Sequence, residues 1–401
     1  MNSTPALHPL PRVIEIASLV DFDRHAATAL ALTDKRLAAS MHGWHVQSVD
    51  LRARSAVLEK LRSAGSVFMG CEIEGKIERR LRGGGALVFP EIPGLPFDPY
   101  RGELYSGGEL YAGLDTGPYE SVPDARIYAW ASHRYGAGAH DALNAALSTT
   151  LHDHAIGSRL DSQIRDGSLS HAPLVGVMGG HAQERGSAGY ERAARLGHAL
   201  SGAGFIVATG GGPGAMEAAN LGAYLGSGST ENLAEALDML AQEPGFTVSV
   251  TRWARAAARV RERWPAGLAN LGIPTWFYGH EPPNMFATHI AKYFANATRE
   301  AVLLKSCPGG IVFLPGAAGT VQEIFQDACE NYYGAEGSIS PMVLVGIEHW
   351  TRTLPAYPLL ADLARGRAME EKIFLVDDAA EAVQILVEFN DGSISGVRGL
   401  A

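Results

Sequence analysis

The residues with the clearest chemical content lie in Phe313-Leu-Pro-Gly-Ala-Ala-Gly-Thr-Val-Gln-Glu323. An apolar run, Gly310–Leu314, stops at Pro315-Gly316, and a helical pattern carrying Val321, Ile324 and Phe325 follows from Thr320. This order predicts a buried strand, a Gly-rich turn and a helix, with Gly316, Gly319 and Thr320 at the amino end of the helix. Free backbone N–H groups and the helix dipole favour an anion there, phosphate above all. Glu323 falls within the first helical turn and so sets a carboxylate beside that anion site. The spacing Thr320-Val-Gln-Glu323 is equally a capping box, in which the glutamate reaches back to the N-cap N–H. The residues alone leave both roles open.

A second turn of the same kind lies upstream. Gly204-Phe-Ile-Val-Ala-Thr209 reads as a buried strand, Gly210-Gly-Gly-Pro-Gly214 as a turn, and Ala215-Met-Glu-Ala-Ala-Asn220 as the start of a helix. Gly210, Gly211, Gly212 and Gly214 let a ligand approach the backbone closely, and Pro213 suits a first helical position. Two strand–turn–helix units in one parallel sheet place two helix amino ends on one edge, where ligands of open α/β sheets bind. Gly179 and Gly180, which end an earlier strand, and Met216, Glu217 and Asn220 are the substrate-side candidates.

These turns need a sheet to hold them. Strands are expected at Leu174–Met178, Phe205–Thr209, Ile273–Tyr278, Ile311–Leu314, Met342–Val345 and Ile373–Val376, separated by helix-length segments. That alternation predicts an α/β fold with a doubly wound, mostly parallel, Rossmann-like sheet. Met285–Leu304 reads as one long helix. His289, Lys292, Asn296 and Arg299 form a polar stripe on it, and Phe286, Ile290, Tyr293, Phe294 and Ala301 serve the core. Its last turns would border the site. Gly226–Gly272 is too long for a simple connection and is expected to carry helices of its own. The first 166 residues read as a smaller α/β module, with strands at Trp44–Val49, Ser66–Phe68 and Ala86–Phe89 and a surface loop over Phe97–Tyr105. A helix from Ala139 to about Ile164 links it to a second domain, 167–401.

Composition sets further bounds. At 401 residues the chain can bury two cores. A formal charge of −10 argues against a nucleic-acid backbone as partner. Cys71, Cys307 and Cys329 are scattered without metal spacing, which suits a reducing compartment. The amino terminus shows no basic-then-apolar signal pattern and no run reaches membrane-spanning length, so a cytoplasmic location and no membrane partner are expected. Gly70-Cys-Glu-Ile-Glu-Gly-Lys76 approximates a Walker A loop, but Ile77 stands where Ser or Thr should hold Mg²⁺. It reads as a strand–turn–helix junction. No Gly-x-Gly-x-x-Gly follows the first strand of the sheet, which counts against a nicotinamide dehydrogenase. His152 and His154, two apart on a helix, point to different faces and read as surface histidines rather than a metal site. Arg252, Arg255, Arg259 and Arg263 read as a solvated helix face, with a subunit contact or an anionic effector site as the sharper alternative.

Taken together, Gly210-Gly-Gly-Pro-Gly-Ala-Met-Glu-Ala-Ala-Asn220, Arg299-Glu300 and Pro315-Gly-Ala-Ala-Gly-Thr-Val-Gln-Glu323 resemble the LOG (Lonely Guy) family, formerly mislabelled as lysine decarboxylases. The resemblance runs from about Leu174 to Val387, and the longer chain is most similar to the pyrimidine/purine nucleotide 5′-monophosphate nucleosidases. It implies a nucleoside 5′-monophosphate phosphoribohydrolase that needs no cofactor and no metal and releases a free base and ribose 5-phosphate. It implies further that Arg299 and Glu323 are catalytic, that the Gly turns hold the 5′-phosphate, and that the protein forms a homodimer or higher oligomer. A nucleotide-binding or sensing protein without turnover is the alternative. Ala317 departs from the family, which has a second Gly after the Pro. The implied chemistry suits the residues: a carboxylate stabilises the oxocarbenium-like state of glycosidic cleavage, and an arginine holds phosphate or sugar oxygens.

Overall fold

The computed structural model describes residues 13–32, 39–133, 139–277 and 281–393. Contacts divide the chain into two compact units, residues 1–103 with 147–155, and residues 104–146 with 156–401.

The first unit runs β1 (Ile14–Ile16), α1 (Leu19–Leu32), β2 (Ala39–Ser40), β3 (Trp44–Gln47), α2 (Ser55–Leu58), β4 (Leu61–Arg62), β5 (Val67–Met69), α3 (Gly75–Gly83) and β6 (Leu87–Phe89). Strands β1-β3-β5-β6 form a four-stranded parallel sheet, and β2 pairs with β4. Phe22, Trp44, Val46, Leu58, Leu61, Phe68, Ile77 and Leu81 fill its core. The Walker-like segment spans the junction from β5 to α3. There Gly70 takes a left-handed φ of 60°, and Glu72 is paired with Arg52 at 2.8 Å. Phe97 and Tyr100, expected in a surface loop, are buried. His152 is likewise buried, its ring edge-on to Phe97, where a surface histidine was expected; His154 is exposed.

The second unit holds α4 (Gly107–Leu110), α5 (Pro123–His133), α6 (Ala139–Asp166), β7 (Leu174–Met178), α7 (Ala188–Gly202), β8 (Ile206–Thr209), α8 (Ala215–Tyr224), α9 (Thr230–Ala241), α10 (Val250–Arg263), β9 (Leu271–Gly272), β10 (His289–Ile290), α11 (Asn296–Lys305), β11 (Ile311–Phe313), α12 (Ala318–Tyr333), β12 (Met342–Val345), α13 (Ala356–Ala364), β13 (Ile373–Val376) and α14 (Ala379–Asn390); residues 147–155 of α6 count with the first unit. Its seven-stranded sheet has the order β10-β9-β8-β7-β11-β12-β13, and every pair is parallel. Without the edge strand β10 this is the Rossmann order, and the chain reverses direction across the sheet at β7. Strands β7, β8, β11 and β12 are buried at every residue, as strands covered on both faces must be, and their sequences are continuous apolar runs. Ser187, Ser229, Ser249 and Asp378 cap α7, α9, α10 and α14 by accepting from backbone N–H groups.

Three further expectations, on the boundary and elements of the second unit, differ from what is observed. The boundary at residue 166 falls inside the second unit, because 104–133 belongs to it: Tyr105 exchanges backbone hydrogen bonds with Ile290, and the Tyr111 hydroxyl donates to the Pro283 carbonyl. The long helix over Met285–Leu304 begins only at Asn296. Its first half is extended and bonded to the neighbouring strand segment, His289 N–H to Asn270 O, Ala291 N–H to Gly272 O and Tyr293 N–H to Pro274 O. Met285, Phe286, Ile290, Tyr293 and Phe294 are buried, so their helix-like spacing reflects a segment covered all round. Lys292 is buried there as well. It donates at 2.7 Å to Asp124, which also accepts from Trp276 Nε1 and the Tyr119 hydroxyl. In place of the strand expected over Ile273–Tyr278, β9 (Leu271–Gly272) stops short of it and only an isolated bridge from Thr275 to Tyr293 follows, since Pro274 has no N–H to continue a ladder; Tyr278 lies outside the described residues.

Helices α7 and α8 meet at backbone distance. A Cβ on Gly222 would fall on the Ala194 carbonyl oxygen, and one on Gly197 on the Ala219 carbonyl oxygen. Gly222→Ala is expected to lower stability by about 3 kcal/mol, measured as a fall in the urea midpoint at unchanged slope; an unchanged midpoint would show that the helices separate freely.

Candidate functional site

Three turns converge where β7, β8 and β11 end. Gly180, after β7, donates to the Pro315 carbonyl at 3.4 Å, and its own carbonyl accepts from Ala215 N–H at 3.1 Å. A Cβ on Gly180 would lie 3.6 Å from Gly316 Cα, and one on Gly179 would press on Ala215 and Leu314. Gly211 and Gly214 adopt φ of 70° and 74°. A side chain at Gly214 would strike the carbonyl oxygens of Gly180 and His181 at 2.6 and 2.5 Å. Only glycine satisfies both the backbone angle and the space there.

The Gly210–Gly214 turn is held from beneath by Asn220. Its Oδ1 accepts from the Thr209 hydroxyl at 2.6 Å and from Asn284 Nδ2 at 3.0 Å, and its Nδ2 donates to Asn270 Oδ1 and the Leu271 carbonyl. Gly211 N–H in turn donates to the Thr209 hydroxyl, and Asn284 donates to the Gly212 carbonyl. Asn220, a substrate-side candidate, is thus fully buried and serves as the clamp of the turn. Glu217, also a candidate, is buried under the turn and accepts from Arg185 Nε and Nη2 at 2.9 and 2.5 Å. The Arg185 guanidinium lies 4.4 Å from the Trp253 ring centroid. Met216 is the one of the three that faces the site: its thioether lies along Gly210 and Gly212, 2.7 Å from where a Cβ on Gly210 would be. Helix α8 starts at Ala215 with Gly214 as its cap, so Pro213 precedes the helix instead of opening it. A cleft of about 250 Å³ lined by His181, Gln183, Pro213, Gly214, Phe246 and Trp253 borders the same turn.

On the other side of β7, helix α12 begins at Ala318. Thr320 therefore lies inside the helix, and its side chain packs on Gly316. The capping box does not form. Glu323 turns instead toward α11, where Arg299 Nη1 stands 3.6 Å from its Oε1. Arg299 Nη1 also lies 3.6 Å from the Cβ position of Gly210, so this side chain links the two Gly turns. Its Nε is buried without a hydrogen-bond partner among the described residues. Burial pushes the Glu323 carboxyl up to about 7; Arg299 pulls it down and the nearby Glu300 pushes it further up. Ala317 is exposed at φ −120°, outside the left-handed region, so its methyl group does not strain the turn. Gly319 faces open space.

Of the expected polar stripe only Arg299 reaches this place. His289 sits in β10 against the Ser168 hydroxyl, Lys292 is paired with Asp124, and Asn296 bonds Glu300. Arg255 donates to the Leu114 and Gly117 carbonyls, while Arg252 and Arg263 pair with Glu243 and Glu235. The sequence did not point to Glu281, which lies 3.6 Å from the Cβ position of Gly212 and 3.7 Å from His181 Nδ1, or to His349, 3.0 Å from the Gly316 carbonyl. No local pattern marks either residue, since both reach the turns from segments remote in the chain, Glu281 from an irregular stretch and His349 from a short π-helix over His349–Thr353. No helix among the described residues is long and apolar enough to cross a membrane.

Fold and turns together define a Rossmann-like unit with two Gly-rich turns at one edge of its parallel sheet. Residues 172–234 match the family described as the SLOG cluster4 family, a match that supports the LOG/SLOG superfamily. No curated protein matches the chain. Among solved structures, the Moco carrier protein of Chlamydomonas reinhardtii is similar at 18% identity over 55% of this chain and 99% of that one, with a TM-score of 0.34. The molybdenum cofactor binding protein of Rippkaea orientalis is similar at 16% identity over 56% and 98%, also with a TM-score of 0.34.

One turn beyond Glu323, Asp327 is buried, its Oδ2 has no hydrogen-bond partner among the described residues, and burial and Glu330 push its carboxyl up to about 8. Its ordinary value is 3.8, so the folded state holds a proton that the unfolded chain releases. The stability this gives is complete below about pH 4 and is lost as pH rises to about 8. Asp327→Asn, which cannot ionise, is expected to gain on the wild type steadily across that window in urea midpoint; a difference that does not change with pH would refute the buried ionisation.

Proposed function

We propose that the protein hydrolyses the N-glycosidic bond of a nucleoside 5′-monophosphate. The observation that carries this reading is the Arg299–Glu323 pair, 3.6 Å apart and set between two Gly turns. The orphan N–H groups of the first turn of α12, with the exposed Ala317–Gly319 segment, suit the 5′-phosphate. Ribose C1′ then comes near Glu323, and the cleft beside Pro213 and Phe246 is open to the base.

The C1′–N bond breaks with its electron pair passing to the base nitrogen, and positive charge builds on the sugar ring. The Glu323 carboxylate offsets that charge and takes a proton from the attacking water, whose oxygen bonds to C1′. The departing base takes up a proton in turn. Arg299, whose Nε has no hydrogen-bond partner among the described residues, keeps donor capacity for a phosphate or ribose oxygen. A carboxyl that titrates near neutrality is matched to proton transfer at neutral pH.

A panel of nucleoside 5′-monophosphates assayed by chromatography for free base and ribose 5-phosphate tests the activity. Release from at least one is expected; binding without release from any would make the protein a nucleotide-binding protein and reject this reading. Glu323→Gln should melt as the wild type does and lose about 10²-fold or more in turnover. For the wild type, kcat/KM is expected to fall as pH drops through about 7, as Glu323 becomes protonated.

A further inference from the structure

Helices α11 and α12 are joined by two adjacent rungs. Arg299 faces Glu323, and the next residue on α11, Glu300, faces the preceding residue on α12, Gln322. The second rung is the tighter. Glu300 Oε2 accepts from Gln322 Nε2 at 2.6 Å and Oε1 from Asn296 Nδ2 at 2.6 Å, and Glu300 is only 7% exposed. A buried carboxylate with both oxygens bonded is held in place. The Arg299–Glu323 contact is a full 1 Å longer than these bonds, so it does not set the spacing of the helices itself.

We propose that Glu300 is the positioning residue of the site, holding α11 on α12 so that Arg299 and Glu323 stay in register. Its second effect is electrostatic. The groups facing Glu323 are Arg299, which favours its charged form, and Glu300, which opposes it; Asp327 lies one turn further along α12. A fixed negative charge beside the reacting carboxylate keeps its ionisation near neutrality in spite of the arginine. This inference rests on the reading of Glu323 as the reacting group.

Glu300→Gln separates the charge from the clamp, because the Gln322 side-chain amide can flip and bond a neutral partner. The expected result is a fall of about 0.5–1 pH in the acid limb of kcat/KM; the substrate's own phosphate ionisation is common to both proteins and cancels. Gln322→Met removes the rung and keeps the charge. It should reduce turnover about 10-fold and leave the limb in place or move it upward. Carboxyl ¹³C NMR of glutamate-labelled protein, with the Glu323 signal identified by its loss in Glu323→Gln, reads the same titration without substrate. A downward move in Glu300→Gln by NMR supports the inference even if no nucleotide is hydrolysed. An unmoved Glu323 titration in Glu300→Gln, or a downward move in Gln322→Met, would overturn it.

Discussion

Backbone meets backbone at the point where the chain reverses across the larger sheet. Gly180 is packed between the turn after β11 and the start of α8, and Gly214 sits against the carbonyls of Gly180 and His181. A side chain at Gly214 would strike those carbonyls and push the turns apart. Beneath them α7 and α8 approach through Gly197 and Gly222 with no side chain between. Both contacts serve one end: the amino termini of α8 and α12 are brought to the same sheet edge.

Three ion pairs of the second unit show how such a site differs from its scaffold. Asp124–Lys292 and Arg185–Glu217 are fully buried, close and surrounded by further hydrogen bonds from Trp276 and Tyr119 or to the Trp253 carbonyl. Burying charges costs free energy unless every donor and acceptor is answered, and in these two pairs the partners are supplied. Arg299–Glu323 is partly exposed, longer and incompletely bonded, with an Nε that has no partner among the described residues and a carboxyl that burial pushes up to about 7. A pair that is loose where the others are closed retains capacity to bind and to exchange a proton.

Much of this was legible in the sequence because local physics wrote it there. Continuous apolar runs marked β7, β8, β11 and β12, and Gly-rich turns followed them. Arg299 and Glu323 were singled out by residue type and motif. Most of what was misread traces to tertiary burial. Met285–Phe294 shows helical spacing but is covered on all sides and bonded to neighbouring chain, so its period carried no information about its conformation. Glu217 and Asn220 have the polar character of ligand-binding residues, yet they answer Arg185 and the backbone of the turn.

The sequence by itself determined the order of strands and Gly turns, and with it the α/β class. Whether Glu323 would cap its own helix or face an arginine depended on where α12 begins and on what lies across from it. Strand order decided that. With β7 between β8 and β11, Arg299 from α11 is brought between the turn at Gly210 and the carboxylate on α12. Contacts between residues so far apart in the chain leave no local pattern, so only the folded sheet could settle the matter.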